Sequence, residues 1–136
     1  MDKGIIEKTL EQASERGDLT PAVYALLFKR YPDMQALFVR DTNGLVRGSM
    51  LSWIFEAILD FIGNRSYSPQ MIQNEVITHD GYGVPPETFG LFFEVLVDTL
   101  RSELADSWTP AHERAWADLV GQLNWLSQHP YAAATA

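Results

Sequence analysis

ITHDGYGVPPETF, residues 77–89, joins two predicted helices through an abrupt corner. His79 follows Ile72 and Val76 at spacings of seven and three residues, so it shares their inward helical face. Two glycines after it permit backbone angles that other residues avoid, and two prolines then fix the direction of the next helix. The pattern places a titratable ring at the mouth of the core. A partly buried histidine with an ordinary hydrogen-bond partner is the simplest interpretation of that position.

The whole chain is predicted to be helical, because apolar residues recur at helical spacing and no alternating run suggests a strand. Thr20-Pro21, Ser68-Pro69 and Thr109-Pro110 share one helix-start signal, a hydroxyl residue at the cap followed by proline at the first helical position. Residues 39–45 form a polar link. The predicted helices span residues 2–16, 21–30, 32–38, 45–63, 69–80, 86–105 and 110–128.

The predicted helix 45–63 is apolar on nearly every side. Its one polar stripe consists of Ser49, Ser52, Glu56 and Asp60. Neighbouring helices or a bound apolar ligand must therefore cover most of it. The last two acids of that stripe are interpreted as a solvated face rather than as a general acid–base pair.

Composition narrows the class of protein. A chain of 136 residues that is 46% hydrophobic suits one folded domain, predicted over residues 1–130 with a flexible tail at 131–136. The absence of cysteine excludes disulfides and thiolate ligands and fits a reducing cytoplasm. A net charge of −8 disfavours nucleic acid as a partner. No apolar run reaches the ~18 residues of a membrane span, and the N-terminus has no signal-peptide core.

Two further residues invite a functional interpretation. Tyr24 lies in AVYALLF and faces inward, where its hydroxyl either bonds a backbone carbonyl or donates to a bound small molecule. Arg47 begins an apolar stripe, so it either extends its head to water or reaches a polar ligand beside that stripe. His112 and His129 are predicted to be solvated. The sequence contains no metal-binding motif and no glycine-rich phosphate loop.

Three stretches together resemble the globin family, in particular bacterial single-domain haemoglobins and the globin domain of flavohaemoglobins. They are VYALLFKRYPDMQALF (23–38), HDGYGVPPETF (79–89) and LADSWTPAHERAW (104–116). The middle stretch is the most specific, and the resemblance runs from residue 20 to about residue 126. It implies an all-α globin fold, a three-over-three helical sandwich, and haem b as cofactor.

The resemblance also implies roles for particular residues. His79 would be the axial ligand of the haem iron, and Tyr24 the distal hydrogen-bond donor to bound oxygen. Leu51 would cover the iron, and Arg47 would take the distal position and reach a haem propionate or the distal ligand. A one-residue gap in the polar link leaves Gly48 or Val46 as alternatives for that position. The residues implied to line the haem are Phe38, Arg47, Leu51, Tyr82, Val84 and Phe89.

The resemblance implies reversible binding of O2, and of NO and CO, at a five-coordinate or weakly six-coordinate iron. NO dioxygenase activity would need an external reductase, because the sequence contains no flavin or nicotinamide domain. Phe89 stands where bacterial relatives often carry a tyrosine that polarises the histidine. A homodimer is a further expectation. The alternative functions are a haem-free globin-fold sensor or adaptor, and a plain helical interaction protein, which leaves the corner at His79 unexplained.

Overall fold

Helices with one buried face form the entire framework. The computed structural model describes residues 1–133, and within that range it contains six α-helices, two 3₁₀ helices and no strand. The α-helices are α1 (Lys3–Glu15), α2 (Thr20–Arg30), α3 (Leu45–Ile62), α4 (Ser68–Gly81), α5 (Pro86–Leu104) and α6 (Pro110–Gln128). The 3₁₀ helices are Pro32–Phe38 and Ala105–Ser107. The prediction of an all-helical single domain is confirmed, and the helix bounds agree to within two residues.

Helix α5 lies at the centre of the molecule and packs against α1, α2, α4 and α6. Its buried residues include Phe93, Leu96 and Leu100, which is the stripe that helical spacing predicts. In α6, Trp116 and Leu119 are fully buried, and the Trp116 indole N–H donates to Thr9 of α1 at 3.2 Å. Each such apolar side chain contributes about 1.5–3 kcal/mol by leaving water, so this face fixes the position of α5.

Only one of the three expected hydroxyl caps forms. Thr109 caps α6 and accepts from the backbone N–H of His112 at 3.4 Å. For α2 the acceptor is instead Asp18, which bonds the N–H of Thr20 at 3.0 Å. For α4 the acceptor is Asp60, whose carboxylate bonds the N–H of Ser68 at 2.8 Å. A charged acceptor is stronger than a hydroxyl at the positive end of a helix, so the aspartates replace the predicted caps.

The expected tail lies partly outside the described residues, which end at 133. Before that point, the Gln73 side-chain amide donates to the carbonyls of His129 at 2.8 Å and Ala132 at 3.0 Å. Helix α4 therefore holds the chain up to Ala132. Over residues 1–133, none of the helices combines the length with the hydropathy that crossing a bilayer requires.

Candidate functional site

His79 occupies the last turn of α4, and the hydrogen bonds around it define its protonation. Its Nδ1 lies 2.7 Å from the backbone carbonyl oxygen of Glu75, one turn earlier. A carbonyl oxygen only accepts, so Nδ1 carries a proton, and in the neutral imidazole Nε2 then has the free lone pair. In that neutral form the ring can bind a metal through Nε2.

The corner after His79 is as rigid as the sequence suggested. The carbonyl of His79 accepts from the backbone N–H of Tyr82 at 3.0 Å and of Val84 at 2.9 Å. Gly83 adopts φ of +91°, a conformation that suits glycine, and Pro86 then begins α5. The backbone therefore holds α4 and α5 at a fixed relative angle beside the imidazole.

His79 lines an apolar cavity of about 350 Å³. Residues from α2, the 3₁₀ helix Pro32–Phe38, α3, α4 and α5 form its wall, and Val84 adds the corner between α4 and α5. Most of them are aliphatic or aromatic, and Glu75 is the one formally charged member within residues 1–133. The lining residues are Tyr24, Leu27, Met34, Leu37, Phe38, Ser49, Met50, Trp53, Ile54, Glu75, His79, Val84, Thr88, Phe89, Phe92 and Phe93.

Tyr24 lines the same cavity from α2. Its side chain is 2% exposed, and its hydroxyl has no hydrogen-bond partner among residues 1–133. Burial raises the pKa of the Tyr24 phenol; nearby Arg47 acts to lower it and Asp41 to raise it further. The phenol therefore stays protonated at neutral pH and has a hydrogen-bond donor that finds no acceptor among residues 1–133.

Arg47 is not among the residues that line the cavity, although the prediction gives it the distal position. Its Nε bonds the Asp41 carboxylate at 3.0 Å, and one terminal nitrogen bonds the Asp41 carbonyl at 2.9 Å. The same carboxylate accepts the backbone N–H groups of Val46 and Arg47 at 3.1 and 3.0 Å, where α3 begins. Arg47 is therefore part of the helix cap, with its charge engaged by Asp41.

Leu51 and Tyr82 also lie outside the cavity lining. Leu51 is 3% exposed and packs into the helical core, whereas Tyr82 is 76% exposed beyond the corner. The face of α3 that lines the cavity consists of Ser49, Met50, Trp53 and Ile54, which sequence reasoning missed. Successive residues of a helix point about 100° apart, so Met50 lines the cavity whereas the next residue, Leu51, faces the core. Gly48 and Val46, the alternatives for the distal position, do not line the cavity either.

The structure brings five predicted residues together at one cavity: Tyr24, Phe38, His79, Val84 and Phe89. The Phe89 ring meets the His79 ring edge to face with centroids 5.1 Å apart. The Phe38 ring lies 5.4 Å from that of Tyr24. Phe38 and His79, which are 41 positions apart in sequence, therefore line one apolar cavity.

The other histidines have local roles. The Nδ1 atom of His112 completes a capping box with the backbone N–H of Thr109 at 3.2 Å, so His112 is not merely solvated as predicted. His129 is exposed, and its Nδ1 donates to the Trp125 carbonyl at 2.8 Å. Among the described residues, no three acidic or histidine side chains form a metal cluster.

Comparison with known protein families gives one match: the globin family model matches residues 21–124. No curated protein and no solved structure matches the chain. The matched segment runs from α2 into α6, so it contains the cavity, the corner and both of the facing residues Tyr24 and His79. Members of this family typically bind haem and small gas ligands. The match covers more than half of the sequence, and the chain therefore belongs to the globin family.

Proposed function

We propose that the protein binds haem b in the apolar cavity, with His79 Nε2 as the axial ligand, and reversibly binds O2 and also NO or CO. The observation that carries this proposal is the hydrogen bond of 2.7 Å from His79 Nδ1 to the Glu75 carbonyl. With the proton on Nδ1, the neutral ring, which lines the cavity, has its lone pair on Nε2, and this is the form of histidine that binds iron.

The residues of the cavity fit haem in polarity. Aromatic and aliphatic side chains such as Phe89, Phe93 and Ile54 match an apolar macrocycle. The helices of the domain are ordered by their own core, since Leu96, Leu100 and Leu119 are at most 1% exposed. The cavity is thus a space that the fold maintains, and His79 is a metal ligand in its wall.

Tyr24 supports the binding of a gas ligand at the haem, rather than a purely structural role of the haem. Haem iron supplies the centre at which such a ligand binds. The Tyr24 hydroxyl is buried in the same cavity without a partner in residues 1–133, so a ligand atom with partial negative charge would satisfy it. Hydrogen bonds to charged groups contribute about 1.5–3 kcal/mol, enough to slow the release of oxygen considerably.

The same residues support a more specific assignment within the globin family. We infer a resemblance in activity to bacterial single-domain haemoglobins or to flavohaemoglobin globin domains, supported by Tyr24 on α2. NO dioxygenase turnover would require electrons from a separate reductase. The absence of cysteine supports the cytoplasm as the site of action. A homodimer is also proposed, to be tested by the mass of the protein in solution.

Haem titration of the purified protein tests the proposal. We expect a Soret band that saturates at one haem per chain and is lost in His79→Ala. His129→Ala is the matched control, because His129 makes the same bond to a carbonyl one turn earlier but lies exposed at the end of α6. Circular dichroism would confirm that both variants remain helical. A folded wild-type protein that binds no haem would instead support a haem-free sensor or adaptor.

A further inference from the structure

Glu75 presents two oxygen-bearing groups to the same atom of His79. Its backbone carbonyl accepts the Nδ1 proton at 2.7 Å, and its carboxylate Oε2 lies 3.7 Å from Nδ1. The two residues are four positions apart on α4, so the geometry of the helix fixes this arrangement. Both side chains are partly covered, with 26% of His79 and 39% of Glu75 exposed.

The Glu75 carboxylate has no other polar partner within the described residues. Within residues 1–133, its carboxylate makes no side-chain hydrogen bond and pairs with no lysine or arginine. It is also the one formally charged side chain among the described residues that line the cavity. The Phe89 ring covers the imidazole from α5, with centroids 5.1 Å apart. A single negative charge beside an apolar wall acts on its neighbours with little competition from other charges.

An ordinary ion pair along the helix does not account for this contact. Such a pair needs a protonated, cationic imidazole, whereas a metal-binding His79 is neutral with its one proton on Nδ1. A carboxylate near that proton then attracts it and increases the electron density at Nε2. This is the effect that carboxylate partners have on metal-binding histidines in general.

We propose that Glu75 is a positioning residue that acts through His79: its carboxylate strengthens electron donation from Nε2 to the haem iron. This inference rests on the proposed function. Greater donation stabilises ferric over ferrous iron and strengthens the bond between iron and histidine. The carboxylate therefore lowers the reduction potential of the bound haem. Beside the axial histidine, Glu75 supplies a polar group, whereas the Phe89 ring has no hydroxyl and supplies none.

The test compares Glu75→Gln with the wild type after haem loading. The iron–histidine stretching frequency of the ferrous protein, measured by resonance Raman, should fall, and the midpoint potential should rise. Asp80→Asn is the control, because it removes the same charge from an exposed position at the end of the same helix. A merely structural role of Glu75 would change the melting temperature of the protein without moving the frequency.

Glu75→Asp keeps the charge but shortens the side chain, so both readouts should fall between those of wild type and Glu75→Gln. This variant also carries the test if Glu75→Gln fails to retain haem. Haem binding with an unchanged frequency and potential in both variants, or shifts equal to those of Asp80→Asn, would overturn the inference while leaving the proposed function intact. A wild-type protein without a Soret band would overturn the proposed function itself.

Discussion

The Tyr24 ring packs among the rings of Phe28, Phe38 and Phe92, with ring centroids 5.4–5.9 Å apart, and its hydroxyl is buried. No group within residues 1–133 satisfies it. Leaving a buried hydroxyl unpaired costs about 1–3 kcal/mol, which a protein recovers only when a ligand supplies the acceptor. We therefore expect Tyr24→Phe to leave the haem-free protein equally stable or up to about 3 kcal/mol more stable. Denaturant unfolding measures this, and a clear destabilisation would show that the hydroxyl has a structural partner.

The same substitution has an opposite effect on the liganded protein. Without the donor at Tyr24, bound oxygen loses a hydrogen bond of about 1.5–3 kcal/mol. The oxygen dissociation rate of the haem-loaded protein should then rise at least about tenfold, as stopped-flow measurement would show. Phe28→Leu is a useful control, since Phe28 contacts the Tyr24 ring but does not line the cavity. An unchanged rate in Tyr24→Phe would assign Tyr24 to the core alone.

The sequence predicts correctly the site residues whose position is set by neighbours in the chain. It does not predict the residues whose position depends on how α3 is rotated about its axis. His79 was identified from the corner that follows it, and that corner indeed fixes its position. The resemblance assigns roles to Arg47 and Leu51 across a polar link in which a one-residue gap stays open. The first turn of α3 is capped by Asp41, which accepts backbone N–H groups at 3.0 and 3.1 Å. This cap, together with packing against α2 and α4, decides that Met50 and Trp53 face the cavity.

Among the helices, α4 depends on an acid that belongs to α3. Asp60 accepts the backbone N–H groups of Ser66, Tyr67 and Ser68 at 3.0, 3.2 and 2.8 Å. Asp60 is partly exposed, and it has a capping role that the interpretation as a solvated acidic face did not include, because the chain between α3 and α4 directs its backbone N–H groups to the carboxylate. Since α4 carries His79, this contact also orients the candidate site.

Replacing Asp60 should therefore weaken the start of α4. We expect Asp60→Ala to lower the free energy of unfolding by about 1–2 kcal/mol, the usual cost of losing a helix cap. Glu56→Ala is the control: Glu56 lies one turn earlier on the same exposed stripe, and its side chain makes no hydrogen bond within the described residues. Urea unfolding at neutral pH compares the two variants. Equal losses in both would contradict a capping role.

For the whole molecule, we expect the free energy of unfolding to fall in acid. Hydrogen bonds from Thr20 lower the pKa of Asp18. Desolvation acts to raise the pKa values of Asp41 and Asp60, but hydrogen bonds from backbone N–H groups outweigh it, and both pKa values are lowered. A lowered pKa in the folded state stabilises the protein above the unfolded pKa of about 3.9, and that stabilisation is lost as the pH falls further.

We therefore expect the urea midpoint to stay level between about pH 7 and pH 5 on account of these groups, and to fall below about pH 4. The fall should be smaller in Asp60→Ala, which has already lost one of these contributions. The measurement is the midpoint of urea unfolding across this pH range. A midpoint that is the same at pH 3 and pH 7 would show that these carboxylates do not stabilise the fold.

The sequence by itself determined the helices and their order, and its resemblance to the globin family implied His79 as the metal-binding candidate. The helices follow from apolar spacing and proline positions, which act over a few residues. Tertiary structure alone decided which carboxylates cap α2, α3 and α4, which face of α3 meets the cavity, and how Glu75 meets His79. Those outcomes depend on the rotation of each helix about its axis, and packing against neighbouring helices and charged caps at the helix ends set that rotation.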